Sequence, residues 1–120
     1  MFEVVVNGKK TKAEVTFYTA WIYEAEFQSK LIQDYMGGQE FDEVGDENGS
    51  SIAIVKFDSI DWLTMTRVLW AAIKTAKDST PSYEQWIRKA GGSNLWEARA
   101  SLDEAITDCF FRSEAAGEEA

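Results

Sequence analysis

Residues 60–70 read I60-D-W-L-T-M-T-R-V-L-W70 and hold Trp62 and Trp70, two of the five tryptophans in a 120-residue chain. The spacing predicts a helix that begins at Asp58 and runs to about Ala76. The Asp58 carboxylate can accept the open N–H groups of a first turn, and Asp61 also favours the positive helix end. Trp62, Met65, Leu69, Ala72, Ile73 and Ala76 fall on one wide apolar arc. Leu63 and Trp70 stand outside it on a second shoulder, while Thr64, Arg67, Lys74 and Thr75 form the polar side. A helix with one neighbour does not need so broad an apolar circumference. The shoulder is therefore either a second packing layer or a docking face for another protein.

Upstream, F2-E-V-V-V-N-G-K-K-T-K-A-E-V-T-F17 predicts a β-hairpin. Asn7-Gly8 suits its turn because both residues tolerate positive φ. Val4, Val6, Val15 and Phe17 are candidates for one face. An isolated hairpin is marginal in water, so helices must cover it. Thr19 is the expected cap of a helix reaching Met36, with Gly37-Gly38 as its stop. Trp21, Ala25, Ile32 and Met36 share one side of that helix, with Ile22 at its margin. Phe27, Leu31 and Tyr35 share another, so the helix is expected to meet more than one neighbour.

From Asp34 to Gly49 the chain holds six acids, four glycines and no base, which reads as a mobile acidic loop. D42-E-V-G-D-E-N-G49 lacks the ligand spacing and closing glutamate of an EF-hand loop. Ser51 to Phe57 is a short strand that could join the hairpin, or an extended linker. Thr80-Pro81 predicts another helix, Pro81 to Lys89, with Thr80 as its cap, Tyr83, Trp86, Ile87 and Ala90 turned to the body and Gly91-Gly92 as its end. Asn94 and Glu97 match a capping box. The last helix, Leu95 to about Arg112, carries Leu95, Ala98, Leu102, Ala105, Ile106, Cys109 and Phe110 on a stripe, with Trp96 and Phe111 off it. The expected fold class is α+β: an N-terminal hairpin with a third short strand in play, packed with about four helices. It forms one domain over 1–112, followed by a flexible acidic tail over 113–120.

Charge and chemistry narrow the function. The formal charge of -9 opposes general nucleic-acid binding, which needs clustered cations. No histidine is present, so the commonest neutral-pH base and metal ligand is missing. Cys109 has no visible activating base and sits in an apolar stripe, which reads as a buried thiol. The pairs Glu24/Glu26 and Asp103/Glu104 near Asp108 occupy polar or cap positions that a solvated helix face explains. No glycine cluster builds a phosphate loop. Lys9, Lys10 and Lys12 form a small basic cluster at the hairpin, either simply solvated or facing an acidic partner. No apolar run nears the ~18 residues of a membrane helix, and no cleavable signal segment is visible. The expectation is a protein that is not an enzyme, with no cofactor, no metal, no nucleic acid and no membrane partner.

Binding is the positive expectation. Aromatic anchors dominate many protein interfaces, and five Trp, four Tyr and seven Phe are many for this length. Phe27, Tyr35, Leu63, Trp70 and Trp96 are the candidate interface residues, because each falls off the main apolar arc of its helix.

The hairpin F2-E-V-V-V-N-G-K-K-T-K-A-E-V-T-F-Y-T-A20 with its following helix, I60-D-W-L-T-M-T-R-V-L-W-A-A-I-K-T75, and T80-P-S-Y-E-Q-W-I87 together resemble the tail assembly chaperones of long-tailed phages, especially phages and prophages of Gram-positive hosts. The likeness is one of element order and covers most of residues 1 to 112; the acidic segment Gly37 to Ser51 departs from it. The resemblance implies a viral protein of the host cytoplasm, not expected in the mature virion. Such a protein self-associates as a homo-oligomer and binds the tape measure protein, keeping it soluble while tail tube protein polymerises around it. A frameshift-extended form of the same chain is a further implied partner. The alternative is another small phage structural protein, such as a head-tail adaptor.

Overall fold

A computed structural model of the chain describes residues 1–37, 41–45, 51–55 and 61–111. The element order is β1 (Phe2–Val6), β2 (Lys9–Ala13), α1 (Phe17–Phe27), α2 (Leu31–Gly37), β3 (Phe41–Gly45), β4 (Ser51–Val55), α3 (Trp62–Ala76), α4 (Tyr83–Lys89) and α5 (Leu95–Ile106), which continues as a π-helical turn over Thr107–Phe111. The class is α+β, as expected.

β1 and β2 pair antiparallel from Phe2↔Ala13 to Val6↔Lys9. Asn7 and Gly8 both take positive φ, at 56° and 76°, the left-handed pair that a tight hairpin turn requires. Val4, Val6 and Ala13 are buried while Glu3, Val5, Lys10 and Lys12 face outward, so the strand period of 2 sorts the sheet cleanly. The turn is itself anchored. Asn7 N–H donates to Gly91 O at 2.6 Å and Gly8 N–H to Gly92 O at 3.4 Å. Gly92 has φ +53°, and a Cβ there would lie 3.2 Å from Gly8 N. The glycine pair that ends α4 therefore also admits the hairpin tip.

Thr16, not Thr19, caps α1: its side chain accepts from Tyr18 N–H, and its own N–H donates to Thr19 Oγ1 at 3.0 Å. Thr19 is fully buried and does other work. Its hydroxyl donates to Glu14 O at 3.1 Å and lies 2.7 Å from Thr75 Oγ1 on α3. Glu14 N–H also donates to Ala72 O at 3.0 Å. Those bonds tie the end of the hairpin to the C-terminal turns of α3.

The single helix expected from Thr19 to Met36 is broken. Gln28 adopts the left-handed conformation, φ 56° and ψ 38°, and ends α1; α2 starts at Leu31. The break reverses the expected faces. Ile22, Tyr23, Leu31 and Tyr35 are buried, while Trp21 and Met36 are exposed. The acidic segment is not all loop: Phe41–Gly45 pairs antiparallel with Ser51–Val55, from Phe41↔Val55 to Gly45↔Ser51. This second hairpin is a separate sheet, so residues 51–55 do not add a strand to β1–β2. Lys56, Phe57, Asp58 and the tail 113–120 lie outside the described residues.

Asp61 caps α3. Its carboxylate accepts from Leu63 N–H at 3.1 Å and Thr64 N–H at 3.2 Å, and from the Thr64 hydroxyl at 2.8 Å. These bonds, the Thr64 hydroxyl first, hold the Asp61 carboxyl below its ordinary range. α3 is the spine: it packs against α1, α2, α4, α5 and β2. Met65 and an unbroken run from Val68 to Ile73 are buried. Ser82 caps α4 in place of Thr80, whose buried hydroxyl instead donates to Lys77 O at 2.7 Å. Asn94 caps α5 through Trp96 N–H and Glu97 N–H. Ala98, Leu102 and Ile106 are its buried stripe.

Candidate protein-interaction surfaces

The five residues expected at an interface separate into two groups. Trp70 is 2% exposed and belongs to the core, because α3 has neighbours on both shoulders. Its indole N–H donates to Pro81 O at 2.9 Å, so its one polar group is satisfied inside. Phe27 is half-buried beside it. Its ring lies 4.7 Å from Tyr23, 5.7 Å from Trp70 and 5.0 Å from Tyr83, the last two edge-on. The Arg67 guanidinium sits over the Phe27 ring at 5.2 Å. Tyr83 adds a contact between its hydroxyl and Thr66 Oγ1 at 3.0 Å. Phe27 and Trp70 thus close an aromatic cluster between α1, α3 and α4, and do not form the docking shoulder expected of them.

Tyr35 is also interior. Its hydroxyl bonds the Asp103 carboxylate on α5, which in turn meets Arg99 at 3.3 Å. Burial first, and then that carboxylate, drives the Tyr35 hydroxyl pKa well above the usual phenol range. Tyr23 is raised in the same sense by burial and by its 2.9 Å bond to Asp34. Both tyrosines are neutral donors that lock α2 against its neighbours. Neither is a reactive phenolate at neutral pH.

Leu63 and Trp96 stay outside, at 55% and 51% exposure. Trp96, on the first turn of α5, stands 6.1 Å from the Trp62 ring on the first turn of α3, and the Arg99 guanidinium lies over the Trp96 ring at 5.8 Å. The first turns of α3 and α5 therefore present one aromatic patch, with Leu63 next to Trp62 in the chain.

A second and larger patch was not among the expectations. Phe17 is 73% exposed, Trp21 63% and Tyr18 48%. Phe17 and Trp21 are four residues apart on α1 and share a helix face. Tyr18 stacks on Trp21 at 5.6 Å with ring planes 9° apart, and Phe17 meets Phe110 at 5.5 Å. That contact joins the first turns of α1 to the π-helical turn at the end of α5. The signal was present in F17-Y-T-A-W21. It was hidden by assigning Phe17 to the hairpin face and Trp21 to the inner side of an unbroken helix.

Cys109, in the π-helical turn, is partly buried, and burial pushes its thiol pKa up. Among the described residues, no group of three or more Cys, Asp or Glu side chains is placed to hold a metal ion, and no helix is long and apolar enough to cross a membrane. Lys9, Lys10 and Lys12 are exposed along β2, with Lys12 opposite Glu3 and Lys10 opposite Val5. Comparison of the chain with protein-family models, curated proteins and solved structures finds no match.

Proposed function

We propose that this chain is a non-catalytic binding protein of the tail assembly chaperone kind, which self-associates and keeps a long helical client, the tape measure protein, soluble in the host cytoplasm. The observation that carries the reading is the distribution of aromatics. A well-packed α+β body leaves two aromatic patches on a surface of strong net negative charge. Contiguous exposed apolar area of this kind marks protein contact sites. Net charge keeps such a protein, and what it holds, in solution. Weak contacts repeated along an oligomer give high avidity without nucleotide or metal. The family resemblance of the hairpin, the central helix and the T80-P81 helix supplies the identity of the client, together with a frameshift-extended form and tail tube protein as further partners.

Within this reading the Trp62/Leu63/Trp96 patch serves self-association. The test of the whole is co-expression with the long coiled-coil product of the neighbouring gene. Recovery of that product in a soluble complex with this chain is the expected result. An unchanged insoluble fraction with no complex would overturn the reading. Finding the chain in purified mature particles would instead favour a structural head-tail adaptor.

A further inference from the structure

The two edges of the β1–β2 hairpin are finished differently. Val6↔Lys9 closes the tight Asn7-Gly8 turn and is therefore a hydrogen-bonded pair, as are Val4↔Thr11 and Phe2↔Ala13 at every second step. The residues between them, Glu3 and Val5 on β1 and Lys10 and Lys12 on β2, turn their backbone N–H and C=O groups outward. Among the described residues no third strand joins this sheet, so neither edge has a strand partner. On β2 both outward positions are lysine, a common guard of an open edge. On β1 they are Glu3 and an exposed Val5, a β-branched residue that favours pairing.

The β1 edge also opens on a cleft. β1 packs against α5 and β2 against α3. Between β1 and α5 lies a space of about 280 Å³, walled by residues 3–5 on one side and by Asn94, Glu97, Ala98 and Ser101 on the other. Those four recur at the three- and four-residue steps of one helix face and span roughly 10 Å along α5. A strand of about three residues, at ~3.4 Å each, has that length and reaches both Glu3 and Val5. A strand edge with a helix as the far wall is a geometry in which an extended segment adds as a strand. No base lines the cleft. Glu3 and Glu97 stand on opposite walls, and neither is ion-paired among the described residues; Lys12 faces Glu3 in the register without closing an ion pair. The walls therefore complement a cationic occupant.

We infer that the cleft between β1 and α5 is the docking site for an extended segment of another protein, which adds to β1 as a third strand and carries lysine or arginine toward Glu97 and Glu3. This surface is distinct from both aromatic patches and does not rest on the chaperone reading. The backbone of Glu3 and Val5 holds the segment, the small Ala98 leaves it room, and Glu97 selects the sign of its charge. Two other occupants fit less well. Residues 113–120, S-E-A-A-G-E-E-A, bring three glutamates and no base, which is the wrong sign. A folded second copy pairing through its own β2 would bring its α3 beside α5. Paired strands lie about 4.8 Å apart, whereas packed helices need 8–10 Å.

The probe is a labelled peptide of about eight residues that alternates lysine with valine or threonine. Its glutamate isomer controls for charge. Two N-methylated versions, one blocked at odd residues and one at even, control for strand pairing, because only one set of amides turns toward β1. Binding to the full chain is followed by anisotropy, and the folding of every variant by circular dichroism. The lysine peptide is expected to bind at least about 10-fold tighter than the glutamate isomer, and Glu97→Lys to abolish or reverse that preference. One N-methylated version is expected to lose at least about 10-fold while the other binds as the parent peptide does. Amide exchange in the complex should slow at Glu3 and Val5 and stay unchanged at Lys10 and Lys12. Val5→Pro removes an outward N–H without breaking a β1–β2 bond and should also lose at least about 10-fold. If that variant unfolds, the N-methylated pair and Glu97→Lys still decide the matter. Equal binding of the two N-methylated versions, slowed exchange at Lys10 and Lys12 in place of Glu3 and Val5, or an unaltered preference in Glu97→Lys overturns the inference. So does slow exchange at Glu3 and Val5 in the free chain, which means that the chain fills its own cleft. Loss of self-association in a folded Val5→Pro overturns it as well, by making the edge a copy-to-copy contact. None of these results moves the chaperone reading, which stands or falls with the solubility of the co-expressed client.

Discussion

The two ends of α1 hold aromatic residues in opposite circumstances. At its C-terminal end Tyr23 and Phe27 meet Trp70 and Tyr83 in an interior cluster. At its N-terminal end Tyr18 stacks on Trp21 and Phe17 meets Phe110, yet all three α1 residues stay exposed. The residue types are the same and the helix is the same. What differs is whether a second element covers the ring: α3 and α4 cover one end, while among the described residues the ring contact from another element at the other end comes from the π-helical turn. Aromatic content alone therefore carries no information about interface or core. Coverage decides, and the surest way to separate the two regions is to remove a ring from each.

The largest effect is expected at Trp70. Trp70→Ala removes a buried indole, its bond to Pro81 O and its edge contacts to Phe27 and Tyr83. A loss of about 3–5 kcal/mol is expected, read as a lower midpoint in a denaturant melt. A loss below about 1 kcal/mol would mean that α4 does not cover this face in solution, and the contrast between the two ends of α1 would collapse.

Next comes Gly92, which sets how closely the hairpin tip approaches the α4–α5 link. With φ +53° and 3.2–3.3 Å between an added Cβ and Gly8 N or Asn7 Cα, Gly92→Ala faces both backbone strain and a collision with main chain. A loss of about 1–2 kcal/mol is expected from the left-handed conformation alone. Amide exchange should show faster opening at Asn7 and Gly8 than elsewhere in β1. Gly91→Ala, whose Cβ would find only Asn7 Oδ1 at 4.0 Å, is the matched control and should cost less.

Asp61→Ala is expected to cost about 1 kcal/mol, the usual worth of a helix cap. Because its pKa is lowered in the fold, the carboxylate contributes stability above the ordinary aspartate value of about 3.9 and loses it as pH falls through the folded value. The gap between the parent and Asp61→Ala chains should therefore be constant near pH 7 and narrow below pH ~4. A gap that persists at the lowest pH would show that Asp61 does not act through its charge.

These positions also mark what was legible in the sequence and what was not. Asn7-Gly8, the α3 arc, the Gly91-Gly92 stop and the Asn94 cap were readable because each rests on local chemistry: a positive φ, a 3.6-residue period, a helix end. The break at Gln28 had no such signal, since glutamine is an ordinary helix former, and the left-handed turn is imposed by what α1 and α2 must each reach. From that break follow the reversed faces of Trp21, Leu31 and Tyr35. Trp70 was misassigned for a related reason. Lying off the main arc of one helix says only that a residue faces a different neighbour, and for α3 that neighbour is α4. Phe41–Gly45 was obscured by its acidic, glycine-rich surroundings, which hide its pairing with Ser51–Val55.

The smallest expected effect on stability is at Trp21, and it is the one that tests the comparison most directly. Trp21→Ala removes as many atoms as Trp70→Ala but uncovers little, because most of its ring already faces water and its main companion is the exposed Tyr18. Alanine is also the better helix former. The change in unfolding free energy should stay within about 0.5 kcal/mol, against several for Trp70. If Trp21→Ala destabilises as strongly as Trp70→Ala, the N-terminal end of α1 is covered in solution by something these elements do not supply, and that cover would be its partner. If it is neutral, an indole has been kept in water at no benefit to the fold, which is the setting of a residue that serves contact with another molecule.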